Sequence, residues 1–159
     1  MRGFSYIEII ITVAILALLA TAAVPYLELT TTRQKEADLN RNLREIREAI
    51  DRYKRASDEG HIPRLLEDSG YPKRLEDLSD GIEDAQDPKK NKIYFLRRIP
   101  RDPMYPTESE SAENAPAAKT WGKRSYDSPP DQPQAGKDVF DVYSLSEQKG
   151  LNGILYNQW

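Results

Sequence analysis

Residues 4–27 read FSYIEIIITVAILALLATAAVPYL, and this stretch decides how the chain is organised. It is a 24-residue segment in which Glu8 is the only charged residue. A helix needs about 20 mostly apolar residues to cross a bilayer, so the stretch is long enough to span a membrane. Glu8 needs its own explanation, because a carboxylate inside a membrane is costly unless it has a partner.

The remainder of the chain is strongly polar. Of the 159 residues, 31% are charged, so an apolar N-terminus is joined to a hydrophilic part with room for one compact domain. The formal net charge of -3 gives no bulk attraction to nucleic acid, and no nucleic-acid partner is expected. The chain has no cysteine, which excludes disulfides and thiolate chemistry.

Two interpretations of the apolar stretch give Glu8 no role. A cleaved secretory signal would use Arg2 as its basic region, Ile9–Leu19 as its apolar core and Ala20–Ala22 as its cleavage site. A plain single-span anchor would carry Glu8 as an accident near the membrane interface, where a carboxylate costs less than at the bilayer centre.

A third interpretation makes Glu8 functional. A cut between Gly3 and Phe4 would create an α-ammonium group four residues from Glu8, which is one helical turn. In a bundle of identical subunits that ammonium could also reach Glu8 of a neighbour. Such a pair would fix the packing register, since a subunit docked one step off leaves both charges unpaired.

The apolar stretch continues into an amphipathic pattern. Pro25 cannot donate a backbone hydrogen bond, so we expect it to bend or loosen the helix without ending it. Beyond it, apolar residues recur at spacings of four and three, the period of one helical face. We therefore predict one helix from about Phe4 to about Ser57. The apolar face of its second half consists of Leu39, Leu43, Ile46, Ile50 and Tyr53.

After this helix the sequence predicts a small domain with a short antiparallel sheet, so the fold class is α+β. The β-branched and aromatic residues of Ile93–Leu96 and Val139–Leu145 are typical of strands, and Gly150–Gly153 of a turn. Residues 106–118 have almost nothing to bury and are predicted to be a flexible surface loop. A second short helical or loop element is expected near Leu75 and Leu78.

Two charge blocks follow each other in the middle of the chain. We interpret them as solvated faces or as local pairing within one subunit, and the alternative is complementarity between subunits of a filament. The acids are Glu76, Asp77, Asp80, Glu83, Asp84 and Asp87, and the bases are Lys89, Lys90, Lys92, Arg97, Arg98 and Arg101.

The N-terminus resembles a known processing signal. Gly3-Phe4-Ser5-Tyr6-Ile7-Glu8, then an apolar run, then Pro25, resembles the class III signal of type IV pilins and type II secretion pseudopilins. The resemblance implies that a prepilin peptidase cuts after Gly3 and methylates the new amino terminus at Phe4. It also places Glu8 and Pro25 where that family keeps its assembly glutamate and its helix-bending proline.

The polar part extends the resemblance to the C-terminal domain of the major pseudopilin. The matching residues are Arg98–Pro103, Trp121-Gly122, Tyr126 and Asp141–Leu145, with an insertion at residues 104–120. That family binds calcium in its C-terminal loop, partly through aspartates. No aspartate follows Asp141 here, so we predict that the calcium site is absent or altered and that packing of Tyr156 and Trp159 holds the loop instead.

The resemblance implies the pseudopilin fold and a structural function. Residues 1–3 would be a leader, residues 4–30 a transmembrane and filament-core helix, and residues 31–159 a periplasmic domain that includes the amphipathic half of the helix. The subunit would be held in the bacterial inner membrane and then assemble into a periplasmic or surface filament. Its partners would be copies of itself, other pseudopilins, the prepilin peptidase, an inner-membrane platform protein and a secretion ATPase.

The sequence offers little for catalysis. His61 is the only histidine, and we expect it to have a surface or capping role beside the helix end. No nucleophile motif or phosphate loop is present, so we predict neither a catalytic site nor a cofactor. The alternative function, of a different class, is a membrane-anchored periplasmic binding or accessory protein that does not polymerise.

Overall fold

The computed structural model describes residues 5–106 and 110–159, without the side chains of residues 22–25, 110 and 111. Its helices are α1 (Tyr6–Asp58), α2 (Asp77–Asp80) and α3 (Glu110–Glu113), and 3₁₀ turns lie at Ala117–Lys119 and Tyr156–Gln158. The strands are β1 (Ile82–Glu83), β2 (Lys92–Ile93), β3 (Trp121–Arg124) and β4 (Asp141–Ser144). The described chain is therefore α+β, with a long N-terminal helix followed by short antiparallel strands.

The chain divides into two compact units, Met1–Lys35 and Glu36–Trp159. In the first unit the described residues belong almost entirely to the front of α1. The second unit contains the rest of α1 and all the other elements.

The second half of α1 provides one side of the core of the second unit. The predicted apolar face is confirmed, because each of its five residues is less than 10% exposed. Side chains from the later elements complete this core, and among them are Leu75, Leu78, Trp121, Val142 and Tyr156.

The strands are shorter than the sequence suggests. The predicted strand Ile93–Leu96 is wrong beyond Ile93, because the backbone N–H groups of Phe95 and Leu96 both donate to the carbonyl of Leu78 instead of a strand partner. The strand predicted at Val139–Leu145 is only Asp141–Ser144. It pairs antiparallel with β3, which the sequence analysis missed.

Gly122 is required by the close approach of its strand partner. It lies opposite Tyr143 in the β3–β4 register. A Cβ atom at position 122 would come within 2.3 Å of the Tyr143 ring, a distance at which one of the two residues must move. The small residue therefore lets the tyrosine ring lie across β3.

Part of the segment 106–118, which was predicted to be a flexible surface loop, forms short helical elements, and residues 107–109 lie outside the described residues. Helix α3 and the start of a 3₁₀ turn lie within this segment, and Ala118 is buried. The guanidinium group of Arg101 donates to the carbonyls of Ala112 and Ala115, both at 2.6 Å. Alanine side chains are small enough to pack here, and the arginine satisfies carbonyls at the end of the short helix.

Three described carboxylates of the second unit are buried, those of Asp77, Asp102 and Asp138, and the last two accept hydrogen bonds from the loops around β3 and β4. Asp102, which is 2% exposed, accepts hydrogen bonds from the Ser144 hydroxyl at 2.7 Å and the Met104 N–H at 2.8 Å. Asp138, which is 8% exposed, accepts from the hydroxyl groups of Ser69 and Ser125. These bonds connect segments distant in the sequence and fix the loops around β3 and β4.

Candidate membrane and assembly segment

The front of α1 presents large apolar side chains to its surroundings. Every described side chain at positions 5–21 and 26–31 is exposed. The exposed fractions of its large apolar residues run from 48% at Ile10 to 80% at Tyr6. A continuous apolar surface of this size needs a non-aqueous environment or a protein partner.

The threonines of this segment satisfy their own hydroxyl groups. Thr12 donates to the carbonyl of Ile9 at 2.8 Å, and Thr21 donates to the carbonyl of Leu18 at 2.7 Å. A hydroxyl group bonded to its own helix needs neither water nor a second chain, so these residues are compatible with a hydrocarbon environment. Within the described residues, α1 is the one helix that is long and apolar enough to cross a membrane.

Glu8 caps the start of α1. Its carboxylate accepts a hydrogen bond from the Ser5 N–H at 3.4 Å, and the Glu8 N–H donates to the Ser5 carbonyl at 3.0 Å. This Ser-x-x-Glu arrangement has the spacing of a capping box, and a carboxylate is also favoured by the helix dipole at this position. The sequence analysis missed this role, although the spacing before an apolar run is its usual sign.

Of the other three predicted site residues, Gly3, Phe4 and Pro25, the structure describes only the backbone of Pro25. Gly3 and Phe4 lie outside the described residues. Helix α1 continues through Pro25, so the proline does not end it, and its side chain lies outside the described part of the chain. Among the described residues, no basic side chain forms an ion pair with Glu8.

An exposed apolar helix with a carboxylate at its start does not by itself define a family. No family model, curated protein or solved structure matches this chain.

The C-terminal loop, residues 145–155, is fastened to the beginning of the second unit. One oxygen of the Glu36 carboxylate accepts from the Leu151 N–H at 2.7 Å and from the Tyr156 hydroxyl at 3.0 Å. Burial and this carboxylate raise the pKa of Tyr156 to about 12. The rings of Tyr156 and Trp159 meet edge to face, with 5.1 Å between their centroids.

The predicted packing of Tyr156 and Trp159 is thus present. The hydrogen bonds to Glu36 also hold the loop, and the sequence analysis did not predict them. Glu36 and Leu151 are 115 positions apart, so no local pattern connects them. Within the described residues no group of three or more His, Asp and Glu side chains is arranged to hold a metal ion. The prediction of an absent or altered calcium site stays a prediction.

The two charge blocks meet in the hairpin formed by β1 and β2. Glu83 lies opposite Lys92 in the strand register, and its carboxylate is 3.8 Å from the Lys90 ammonium. The Lys92 ammonium donates to the carbonyl of Asp80 at 3.2 Å. Pairing within one subunit is therefore observed for these residues, whereas Arg97 and Arg98 are exposed beyond the hairpin.

His61 pairs with a carboxylate beside the end of α1. Its Nδ1 lies 3.0 Å from Asp84 Oδ1, and its carbonyl accepts from the Ala85 N–H at 2.7 Å. The Gln86 N–H and the His61 ring lower the pKa of Asp84. The pair joins the chain after α1 to the β1–β2 hairpin, whereas a surface or capping role was expected for His61.

Proposed function

We propose that this protein is a structural subunit of a type II secretion pseudopilus or a related type IV pilus-like filament. The observation that carries the proposal is the front of α1, an exposed apolar helical segment with one carboxylate at its start. The resemblance of Gly3–Glu8 to the class III signal supports it.

In this proposal the apolar segment has two successive environments. Before assembly it spans the bacterial inner membrane as a single helix, with the second unit in the periplasm. After assembly the same surface packs against other copies and forms the filament core, while the second units coat the outside. Both environments cover the large apolar side chains that the single chain leaves exposed.

The processing step gives Glu8 its partner. Cleavage after Gly3 creates an α-ammonium group at Phe4, which the peptidase methylates without removing its positive charge. In the filament this ammonium lies next to Glu8 of a neighbouring subunit, because an unpaired carboxylate in an apolar bundle is costly. Pro25 leaves one carbonyl of the helix without its usual donor and permits local bending during packing.

The first test is mass spectrometry of the N-terminal peptide of protein purified from its native membrane. We expect the chain to begin at Phe4 with a methylated amino group. A start near Ala23 would instead indicate a cleaved secretory signal, and an intact Met1 a simple anchor. Either of these results would contradict the proposal.

The second test separates the charge of Glu8 from its capping role. Gln at the third helical position can still accept the bond of a capping box, so Glu8→Gln keeps the cap and removes the charge. We expect Glu8→Gln and Glu8→Lys both to leave the protein in the membrane fraction and to abolish filaments seen by electron microscopy. Wild-type filament yield with Glu8→Gln would show that charge pairing is not required. If the wild type forms no filaments and both variants stay in the membrane fraction as it does, the result would favour the non-polymerising anchor.

A further inference from the structure

The C-terminal loop exposes apolar side chains that the core of the second unit does not use. The exposed fractions are 40% for Leu145, 49% for Leu151 and 46% for Ile154. Leu151 lies within, and Ile154 directly follows, a tight turn in which the Gly153 N–H donates to the Gly150 carbonyl at 2.9 Å. The turn is closed by a backbone bridge between Lys149 and Leu155.

This loop lies at the end of the second unit where the chain enters from the apolar segment. Glu36 is the first residue of that unit, and its carboxylate holds the Leu151 N–H at 2.7 Å. Only the eight residues from Glu28 to Lys35 separate Glu36 from the apolar stretch that ends at Leu27. Even fully extended, this connection reaches only about 30 Å.

The turn from Lys149 to Leu155 carries a single charge, that of Lys149, whereas the whole loop, residues 145–155, also contains the exposed Glu147 and has no net charge. The chain contains 26 acidic residues, but residues 148–159 contain none, and Lys149 is their only charged residue. Lys149 is exposed beside the turn. The Glu36 carboxylate is engaged by the loop itself, through the Leu151 N–H and the Tyr156 hydroxyl. A turn with exposed Leu and Ile side chains and an adjacent lysine has the chemistry that binds the headgroup and acyl boundary of a bilayer.

We propose that the turn from Lys149 to Leu155 contacts the surface of the membrane in which the apolar segment is anchored. Leu151 and Ile154 enter the boundary between headgroups and acyl chains, and Lys149 meets lipid phosphates. This contact rests on the membrane insertion in the proposed function, and it orients the second unit before the subunit leaves the bilayer. The occupant of this surface is lipid, not a second copy of the chain.

The test uses the full chain, which has no native cysteine, with one cysteine introduced at a time. Leu151→Cys carries a polarity-sensitive fluorophore, and the protein is reconstituted in vesicles of phosphatidylethanolamine and phosphatidylglycerol that contain a lipid with a quencher near its headgroup. Leu66→Cys is the matched control. This leucine is also exposed, but it follows the C-terminal end of α1 at Asp58, whereas the turn is bonded to Glu36. Leu16→Cys reports insertion of the apolar segment.

We expect several-fold stronger quenching at position 151 than at position 66, with strong quenching at position 16 by a lipid labelled deeper in its acyl chain. The same result is expected at Ile154→Cys, which guards against an effect of the label on one site. Quenching at 151 no stronger than at 66, with position 16 in lipid, would overturn this proposal alone. A position 16 that stays in water would overturn the membrane anchor as well.

The protein-to-lipid ratio separates lipid from a second copy. A lipid contact gives quenching at position 151 that does not change when the protein is diluted in the membrane. Quenching that changes on dilution would mean that another copy covers the turn, and the lipid proposal would then be wrong.

Discussion

Asp102 and Asp138 are both buried carboxylates, but their pKa values are shifted in opposite directions. Burial raises the pKa of Asp102 despite the hydrogen bonds that it accepts. Burial also acts to raise the pKa of Asp138, but the bonds from Ser69, the Tyr126 N–H and Ser125 outweigh it, and the net shift is downward. The number and geometry of the donors therefore decide which form of each side chain the fold favours.

Asp102→Ala should destabilise the second unit much more than Asp102→Asn. The alanine leaves the buried Ser144 hydroxyl and the partly buried Met104 N–H without this acceptor, which should lower the free energy of unfolding by about 3 kcal/mol. Asparagine keeps an acceptor oxygen and removes a charge that burial disfavours, so its cost should be below about 1 kcal/mol. Denaturant unfolding of the full chain in micelles, followed by near-ultraviolet circular dichroism, measures both. Equal costs would show that these hydrogen bonds contribute little.

The two aspartates should also give opposite pH dependences. The folded pKa of Asp138 lies below its unfolded value, so its contribution to stability is present at neutral pH and is lost as the pH falls below about 4. Asp138→Asn should therefore make thermal stability less sensitive to acid. The folded pKa of Asp102 is raised, so its contribution to stability grows as the pH falls, and Asp102→Asn should make the loss in acid steeper. Thermal midpoints from about pH 7 to pH 3 measure this, and shifts of the same sign in both variants would contradict it.

At the level of elements, the sequence predicted α1 well because its signal is long. The stripe from Leu39 to Tyr53 repeats over several turns, and α1 ends at Asp58, one residue from the expected Ser57. The strands were harder to predict, because two to four residues carry too little pattern. At Phe95 and Leu96, bonds to the Leu78 carbonyl override the local strand preference.

The candidate site was predictable only where its residues are neighbours in sequence. The Ser5–Glu8 cap spans three positions and has a known pattern. The bond from the Leu151 N–H to Glu36 depends on how the whole second unit closes, and no periodicity or local motif encodes it. The short helix α3 was missed because few residues of the segment around it have large side chains to bury.

Calcium should not stabilise the C-terminal loop. The loop is already fastened by the Glu36 carboxylate and by the contact between Tyr156 and Trp159, and a calcium ion needs six to eight oxygen ligands, including carboxylates. We expect the same thermal midpoint with millimolar calcium as with a chelator, and magnesium serves as the ionic control. A clear rise of the midpoint with calcium alone would contradict the prediction that the site is absent or altered.

At the scale of the whole molecule, Arg47 connects the beginning and the end of the second unit. Its guanidinium group donates to the Asp141 carboxylate at 2.8 Å, the Val142 carbonyl at 3.2 Å and the Trp159 carbonyl at 2.9 Å. Arg47 lies on α1, and its side chain reaches across to β4. One side chain therefore joins α1, a strand and the last residues of the sequence.

Replacement of Arg47 should weaken this unit as a whole. Arg47→Ala should lower its free energy of unfolding by about 2 kcal/mol, because two carbonyls lose their donor while Asp141 keeps Arg124 at 3.5 Å. Arg47→Lys should recover only part of this, since an ammonium cannot reproduce the planar fork of donors. Arg44→Ala, at an exposed position of the same helix, is the control. An equal effect of Arg44→Ala and Arg47→Ala in chemical denaturation would contradict this role.

The position of Glu36 and Arg47 on the first helix has a consequence for biosynthesis. Both side chains form hydrogen bonds with residues near the end of the sequence. The bond that the Tyr156 hydroxyl donates to Glu36 spans 120 positions, and Arg47 donates to the Trp159 carbonyl. A polypeptide emerges from the ribosome with its N-terminus first, so the helix is made long before the residues that cover it. The second unit can therefore close only after nearly all of its sequence has been synthesised and, in a secreted topology, translocated. Its apolar stripe needs protection from aggregation until then.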